Sequence, residues 1–175
     1  MNLRPHGNCY WVRADALLAG EYPSARDPAA SRRRLGRLLD AGIGSFLDLT
    51  QDHELPCYLP ALRAEAELRG LAPLYQRMPI RDRDVPARHE DMRAILDHLD
   101  AELAAERRVY LHCWGGIGRT GTVVGCWLVR HGHSGEQSLQ QLAGWWRGVE
   151  KSWLHLRSPE TDAQHGYVLN WREPD

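Results

Sequence analysis

The chain has 175 residues, of which 43% are hydrophobic and 26% charged, with a formal net charge of −1. That balance excludes the strongly basic surface of a general nucleic-acid binder. The length and ordinary apolar content fit one domain over residues 1–175 with its own buried core. No charged-then-apolar opening and no long apolar run is present, which predicts a soluble, cytoplasmic protein without a membrane partner. Cys9, Cys57, Cys113 and Cys126 show no C-x-x-C spacing and are expected as reduced thiols. The nine histidines suggest no ligand cluster, so neither a metal nor another cofactor is expected. Positive charge is carried almost wholly by arginine, Lys151 being the sole lysine, and the run Arg32, Arg33, Arg34, Arg37 reads as a solvated helix face.

Residues 10–19 read as two short strands with a turn between them. Asp27-Pro28 then has the form of an N-cap followed by proline at the first helical position. The helix carries Leu35, Leu38 and Leu39 on one face and stops at Gly42. Residues 43–49 predict a buried strand, 58–69 a helix, and 74–80 a further strand. After Pro86, the residues Met92, Ile95, Leu96, Leu99 and Leu103 recur at helical spacing. Residues 108–113 form a short apolar strand, and a helix with Val123, Val124, Trp127 and Leu128 follows the next loop. Ser134 to Gln137 has the capping-box pattern, and Ser158-Pro159 is read as the start of a last helix containing Val168 and Trp171. Alternating strands and helices predict an α/β fold whose mainly parallel central sheet is flanked by helices, with the strand ending at Cys113 in the middle.

The loop HCWGGIGRTG, residues 112–121, holds two overlapping patterns. Gly116, Gly118 and Gly121 make a G-x-G-x-x-G, but no second strand and no suitably placed acid follow, so the dinucleotide reading fails its own context. The other pattern is Cys113, five residues, then Arg119 and Thr120. A cysteine at a helix N-terminus has a depressed pKa and is nucleophilic. Backbone N–H groups of Trp114, Gly115, Gly116, Ile117, Gly118 and Arg119 can wrap a phosphate dianion, aided by the helix dipole. Arg119 offers a planar fork to two phosphate oxygens. Thr120 can hydrogen-bond the sulfur, and His112 is assigned to ordering the loop.

The loop resembles the signature of cysteine-dependent protein tyrosine and dual-specificity phosphatases. YWVRADALLAGEYP and FLDLTQDHEL, residues 10–23 and 46–55, are similar to bacterial members. CWGGIGRT together with PIRDRDVP is most similar to the kinase-associated phosphatases that act on cyclin-dependent kinases, although such a substrate does not follow from the likeness.

The chemistry also needs a proton donor for the leaving oxygen. Asp82 and Asp84 lie on one loop between a strand and a helix. The resemblance selects Asp82, because a Pro-Ile-x-Asp stretch carries the general acid in the family; Asp84 is expected to cap the following helix. The late segment SPETDAQHGYVLNW is similar to the family's water-positioning region, which implies that role for Gln164. Gln164, Val168 and Trp171 also share one helical face. The resemblance implies a phosphocysteine intermediate, no metal, and a phosphorylated protein or small phosphomonoester as substrate of a monomeric enzyme. Two alternatives stay open: an inositol phosphate or phosphoinositide substrate, and a pseudophosphatase that only binds phosphoproteins.

Overall fold

The computed structural model describes residues 4–173. Its five-stranded sheet has the order β1-β2-β5-β3-β4, built from Cys9–Arg13, Leu17–Gly20, Ile43–Asp48, Leu74–Arg77 and Arg108–His112 as β1 to β5 in chain order. Only β1 and β2 run antiparallel; the β2–β5, β5–β3 and β3–β4 pairs are parallel. The strand leading to Cys113 is thus central, as the sequence predicts. The mainly parallel sheet also agrees with expectation.

Each central strand is buried on both faces, so alternate side chains serve two different cores. Val109 and Leu111 of β5 face one cluster with Leu47 and Ala19. Tyr110, Phe46 and Leu18 face the other. Helices Pro28–Asp40 (α1) and Leu59–Glu67 (α2) cover the second cluster. Helices His89–Ala104 (α3), Gly118–Arg130 (α4), Gly135–Trp146 (α5) and Asp162–Asn170 (α6) cover the first. Every residue of α4 from Gly118 to Leu128 is buried, which fixes the N-terminus of this helix against the end of β5.

Local signals explain most helix starts. Asp27 accepts hydrogen bonds from Ala29 N and Ala30 N at 3.1 and 3.0 Å, and Ser134 and Gln137 form the expected reciprocal box. Two expectations require correction. Asp84 does not cap α3: that helix begins at His89, and the Asp91 carboxylate closes its first turn on Arg88. The last helix begins at Asp162, not at Ser158-Pro159, because Thr161 and Gln164 form a capping box there; Trp171 is its C-cap residue. The Ser158-Pro159 bond is cis. Strand β4 stops at Arg77, although Met78 N and Ile80 N still bond to Asp48 O and Leu49 O at 2.9 and 3.0 Å. Those two bonds carry the chain along the sheet end toward Asp82.

Candidate active site

The site forms where β3, β4 and β5 end together, the ordinary place for ligands on a parallel sheet. Cys113 follows β5 directly and is buried. The chain then turns through Trp114–Ile117 into α4. Gly116 has φ +69°, and a Cβ there would collide with the Gly20 backbone, so this position accepts only glycine.

For a loop to point its N–H groups inward, its carbonyls must face outward and find donors elsewhere. Five such donors are present. His112 Nδ1 donates to Cys113 O at 3.2 Å, and Tyr22 N to Trp114 O at 2.8 Å. Lys151 Nζ donates to Gly115 O at 3.0 Å. Ser158 Oγ donates to Ile117 O, and Thr122 Oγ1 to Gly118 O, each at 2.8 Å. The carbonyls of Cys113, Trp114, Gly115, Ile117 and Gly118 are therefore engaged, while the loop's amides lie at the positive end of α4.

His112 is wholly buried, and burial lowers its pKa. The neutral ring donates from Nδ1 and accepts the Tyr58 O–H at Nε2, 2.8 Å away. Asp48 sits below it. Burial alone would raise the Asp48 carboxyl, but His112 when protonated, together with hydrogen bonds from Thr50 and Tyr75, outweighs that and holds it below its ordinary value. His112 thus acts through the loop backbone, the ordering role the sequence assigns to it.

Arg119 is the pivot. Its guanidinium is almost wholly buried and makes a two-pronged pair with Glu54, Nη1 to Oε2 at 2.8 Å and Nη2 to Oε1 at 2.6 Å. Nη1 also donates to Ile80 O at 3.2 Å. Burial would raise the Glu54 carboxyl, yet Arg119 and the Gln51 N–H keep it below its usual range. Glu54 is the functional residue that the sequence reading missed. It lies in FLDLTQDHEL, but nothing in its spacing relates it to Arg119, 65 residues away. Only the parallel pairing of β3 with β5 brings the two together.

Asp82 comes to the same guanidinium from the β4–α3 loop, with Oδ1 2.8 Å from Arg119 Nη2. Its side chain is 49% exposed against 1% for Arg119, so it stands at the mouth of the site. Asp84 is turned elsewhere: its Oδ1 accepts from Val85 N at 2.9 Å. The Thr120 hydroxyl is buried and without a hydrogen-bond partner among the described residues. Gln164 is wholly buried near Gly118, with Oε1 accepting from Glu160 N and Thr161 N and Nε2 donating to Asp84 O at 3.0 Å. In this arrangement its amide ties the acid loop to the start of α6. Among the described residues, no group of three or more His, Cys, Asp or Glu stands ready to hold a metal ion.

A cysteine and an arginine bracketing a turn at a helix N-terminus, with a carboxylate from a separate loop, make the arrangement that the sequence leads one to expect of a cysteine-dependent phosphatase. Residues 22–133 match the family described as polymorphic toxin system, DSP-PTPase phosphatase, and the chain belongs to that family. A candidate tyrosine phosphatase, 067L, of Invertebrate iridescent virus 3 is 31% identical over 118 residues, which are 66% of this chain and 43% of the viral protein. The match therefore spans less than half the length of that curated relative. Among solved structures, Tk-PTP in its active form is similar with a TM-score of 0.72 and 22% identity, over 92% of this chain and 93% of that one. Kinase associated phosphatase with its catalytic cysteine changed to serine also gives a TM-score of 0.72, at 20% identity over 93% and 91% of the two chains. At these identities the two structures speak for the fold, a protein tyrosine and dual-specificity phosphatase fold.

Proposed function

We propose that this protein hydrolyses phosphomonoesters on phosphorylated proteins as a protein tyrosine or dual-specificity phosphatase. The observation that carries the reading is the buried Arg119 guanidinium, fixed by Glu54 and facing Asp82, six residues past a cysteine at a helix N-terminus. Cys113 Sγ attacks phosphorus, forming an S–P bond as the ester P–O bond breaks. Asp82 gives its proton to the departing oxygen. Loop amides and Arg119 hold the three remaining phosphoryl oxygens, where the transition-state charge resides. Water then attacks phosphorus, its proton passes to Asp82, and the S–P bond breaks to release phosphate and the Cys113 thiolate. Thr120, with its unpartnered hydroxyl, serves the leaving sulfur. Gln164 acts chiefly by positioning the acid loop, and a contact with the attacking water needs its amide to leave that tie.

The four cysteines are unpaired, which suits a reducing cytoplasm and a reaction that depends on a free thiolate. The two cores share one sheet, in keeping with a single domain. No helix among the described residues is long and apolar enough to cross a membrane. A second substrate class, inositol phosphates, is favoured by Arg81, which is exposed beside Asp82 in the sequence and has no charged partner among the described residues.

Hydrolysis of p-nitrophenyl phosphate with EDTA present tests the mechanism. Turnover is expected in the wild type and its loss in Cys113→Ser, at least about 10³-fold, as for removal of any nucleophile that initiates the reaction. Turnover abolished by EDTA, or retained in Cys113→Ser, refutes it.

A further inference from the structure

Beside the phosphate loop lies a groove of about 490 Å³, lined chiefly by Tyr22, Arg26, Arg34, Leu55, Pro56 and Trp114. Its walls are extensions of the site itself. Trp114 follows the nucleophile and is held through its carbonyl by Tyr22 N at 2.8 Å. Leu55 follows Glu54, which grips Arg119. The Tyr22 hydroxyl donates to Pro56 O at 2.8 Å and so ties the two walls together. The groove is therefore set rigidly relative to Cys113 and Arg119.

Its chemistry is specific. Trp114 is 55% exposed, although Gly116 and Ile117 beyond it are buried. A half-exposed indole with a fixed backbone offers a flat apolar contact at small entropic cost, the kind of group that anchors interfaces. Arg34 is neutralised by Glu21 at 3.0 Å, and Glu21 also receives Lys151. Arg26 is exposed and has no charged partner among the described residues. Glu21 is the one acid lining the groove against two arginines, which leaves the groove positive. A small phosphomonoester reaches Cys113 without filling such a volume, which is in the range of a ligand-sized cleft.

Resting on the phosphatase reading above, we propose that this groove receives the residues flanking the phosphorylated residue of a polypeptide substrate. Trp114 packs on a large apolar side chain, and Arg26 pairs with an acidic one.

The test compares kcat/KM for p-nitrophenyl phosphate and for two phosphotyrosine peptides, one flanked by leucine and glutamate and the other by leucine and lysine. The wild type is expected to favour the glutamate peptide about tenfold, the scale of a complementary charge contact against a repulsive one. Arg26→Glu should erase or invert that preference and leave p-nitrophenyl phosphate hydrolysis unchanged. Leu55→Ala should lower both peptide rates several-fold relative to p-nitrophenyl phosphate. Equal wild-type rates on the two peptides overturn the groove assignment, as does a preference that survives Arg26→Glu. Turnover of p-nitrophenyl phosphate and inositol phosphates, with none of phosphotyrosine, phosphoserine or phosphothreonine peptides, overturns it while leaving the phosphatase reading intact. Failure on every phosphomonoester removes the phosphatase reading and the groove with it.

Discussion

The phosphate loop and the acid loop meet at Arg119 but are held by opposite means. The phosphate loop is buried and fixed carbonyl by carbonyl, with donors drawn from His112, Tyr22, Lys151, Ser158 and Thr122. The acid loop is exposed from Arg81 to Arg83, and Arg83 takes a φ of +61° in the turn. It is tethered at the Asp82–Arg119 ion pair and at the Gln164–Asp84 hydrogen bond. The difference follows from their tasks. A cradle that stabilises charge works best preorganised. A proton donor must approach the leaving oxygen and later a water, so it gains from a tether that a bound dianion can loosen. On the proposed mechanism, phosphate would compete with Asp82 for the same Nη2 and free Asp82 as substrate arrives.

Arg119 joins both regions, so its replacement should produce the largest loss among the charged positions. Arg119→Lys keeps the charge but not the fork that serves Glu54 and phosphate together. Turnover is expected to fall about 10³-fold, comparable to removing preorganised transition-state donors. Steady-state kinetics with p-nitrophenyl phosphate check this, and a fall of less than tenfold would place the phosphate on the amides alone.

Asp82→Asn separates the two loops. The cradle should still bind vanadate as the wild type does, while turnover of an alkyl phosphate falls about 10²-fold, the usual worth of a general acid. The limb of the pH profile that declines as pH rises should vanish, since that limb reports loss of the donor's proton. The same profile in Asp84→Asn should match the wild type, because Asp84 faces Val85 N.

Lys151→Met acts on the cradle and not on the acid loop, although it also removes the Lys151–Glu21 ion pair. It withdraws the donor from Gly115 O, whose peptide also carries the Gly116 N–H. KM and the vanadate inhibition constant are expected to rise about tenfold, the scale of a hydrogen bond to a charged group. kcat should change less, and Lys151→Arg should recover part of the affinity. A parallel fall in kcat and in thermal stability, with affinity kept, would reduce Lys151 to a structural tie.

How much of this was legible in the sequence follows the range of each interaction. Cys113, Arg119 and the strand–loop–helix setting lie within one short stretch, where spacing alone carries the geometry. Asp82 needs the family resemblance to separate it from Asp84; the structure sets Asp82 beside Arg119 and turns Asp84 to Val85 N. Glu54 was invisible because its partner is supplied by sheet pairing, and a lone glutamate in a polar loop has no periodic signature. The last helix starts later than Ser158-Pro159 suggests, because Thr161-x-x-Gln164 is the capping box that opens it, and the same box engages the Gln164 amide.

Acid should act on the cradle side through two histidines, His112 and His6. Burial lowers the pKa of His112, and lowers that of His6, which contacts the Tyr110 hydroxyl at 3.1 Å, to about 4. A histidine held below its unfolded value binds protons more readily in the unfolded chain, so its stabilisation is full above about pH 6.5 and is lost as pH falls below that. For His6 the loss is spread between 6.5 and about 4 and amounts to at most about 3 kcal/mol. Asp48 and Glu54, held below their ordinary values, add their share only at more acidic pH. Melting temperature should therefore fall steadily from pH 7 to pH 5 in wild type, and less steeply in His6→Gln. A slope that is flat in wild type, or as steep in His6→Gln as in wild type, would move the acid-sensitive element out of these histidines.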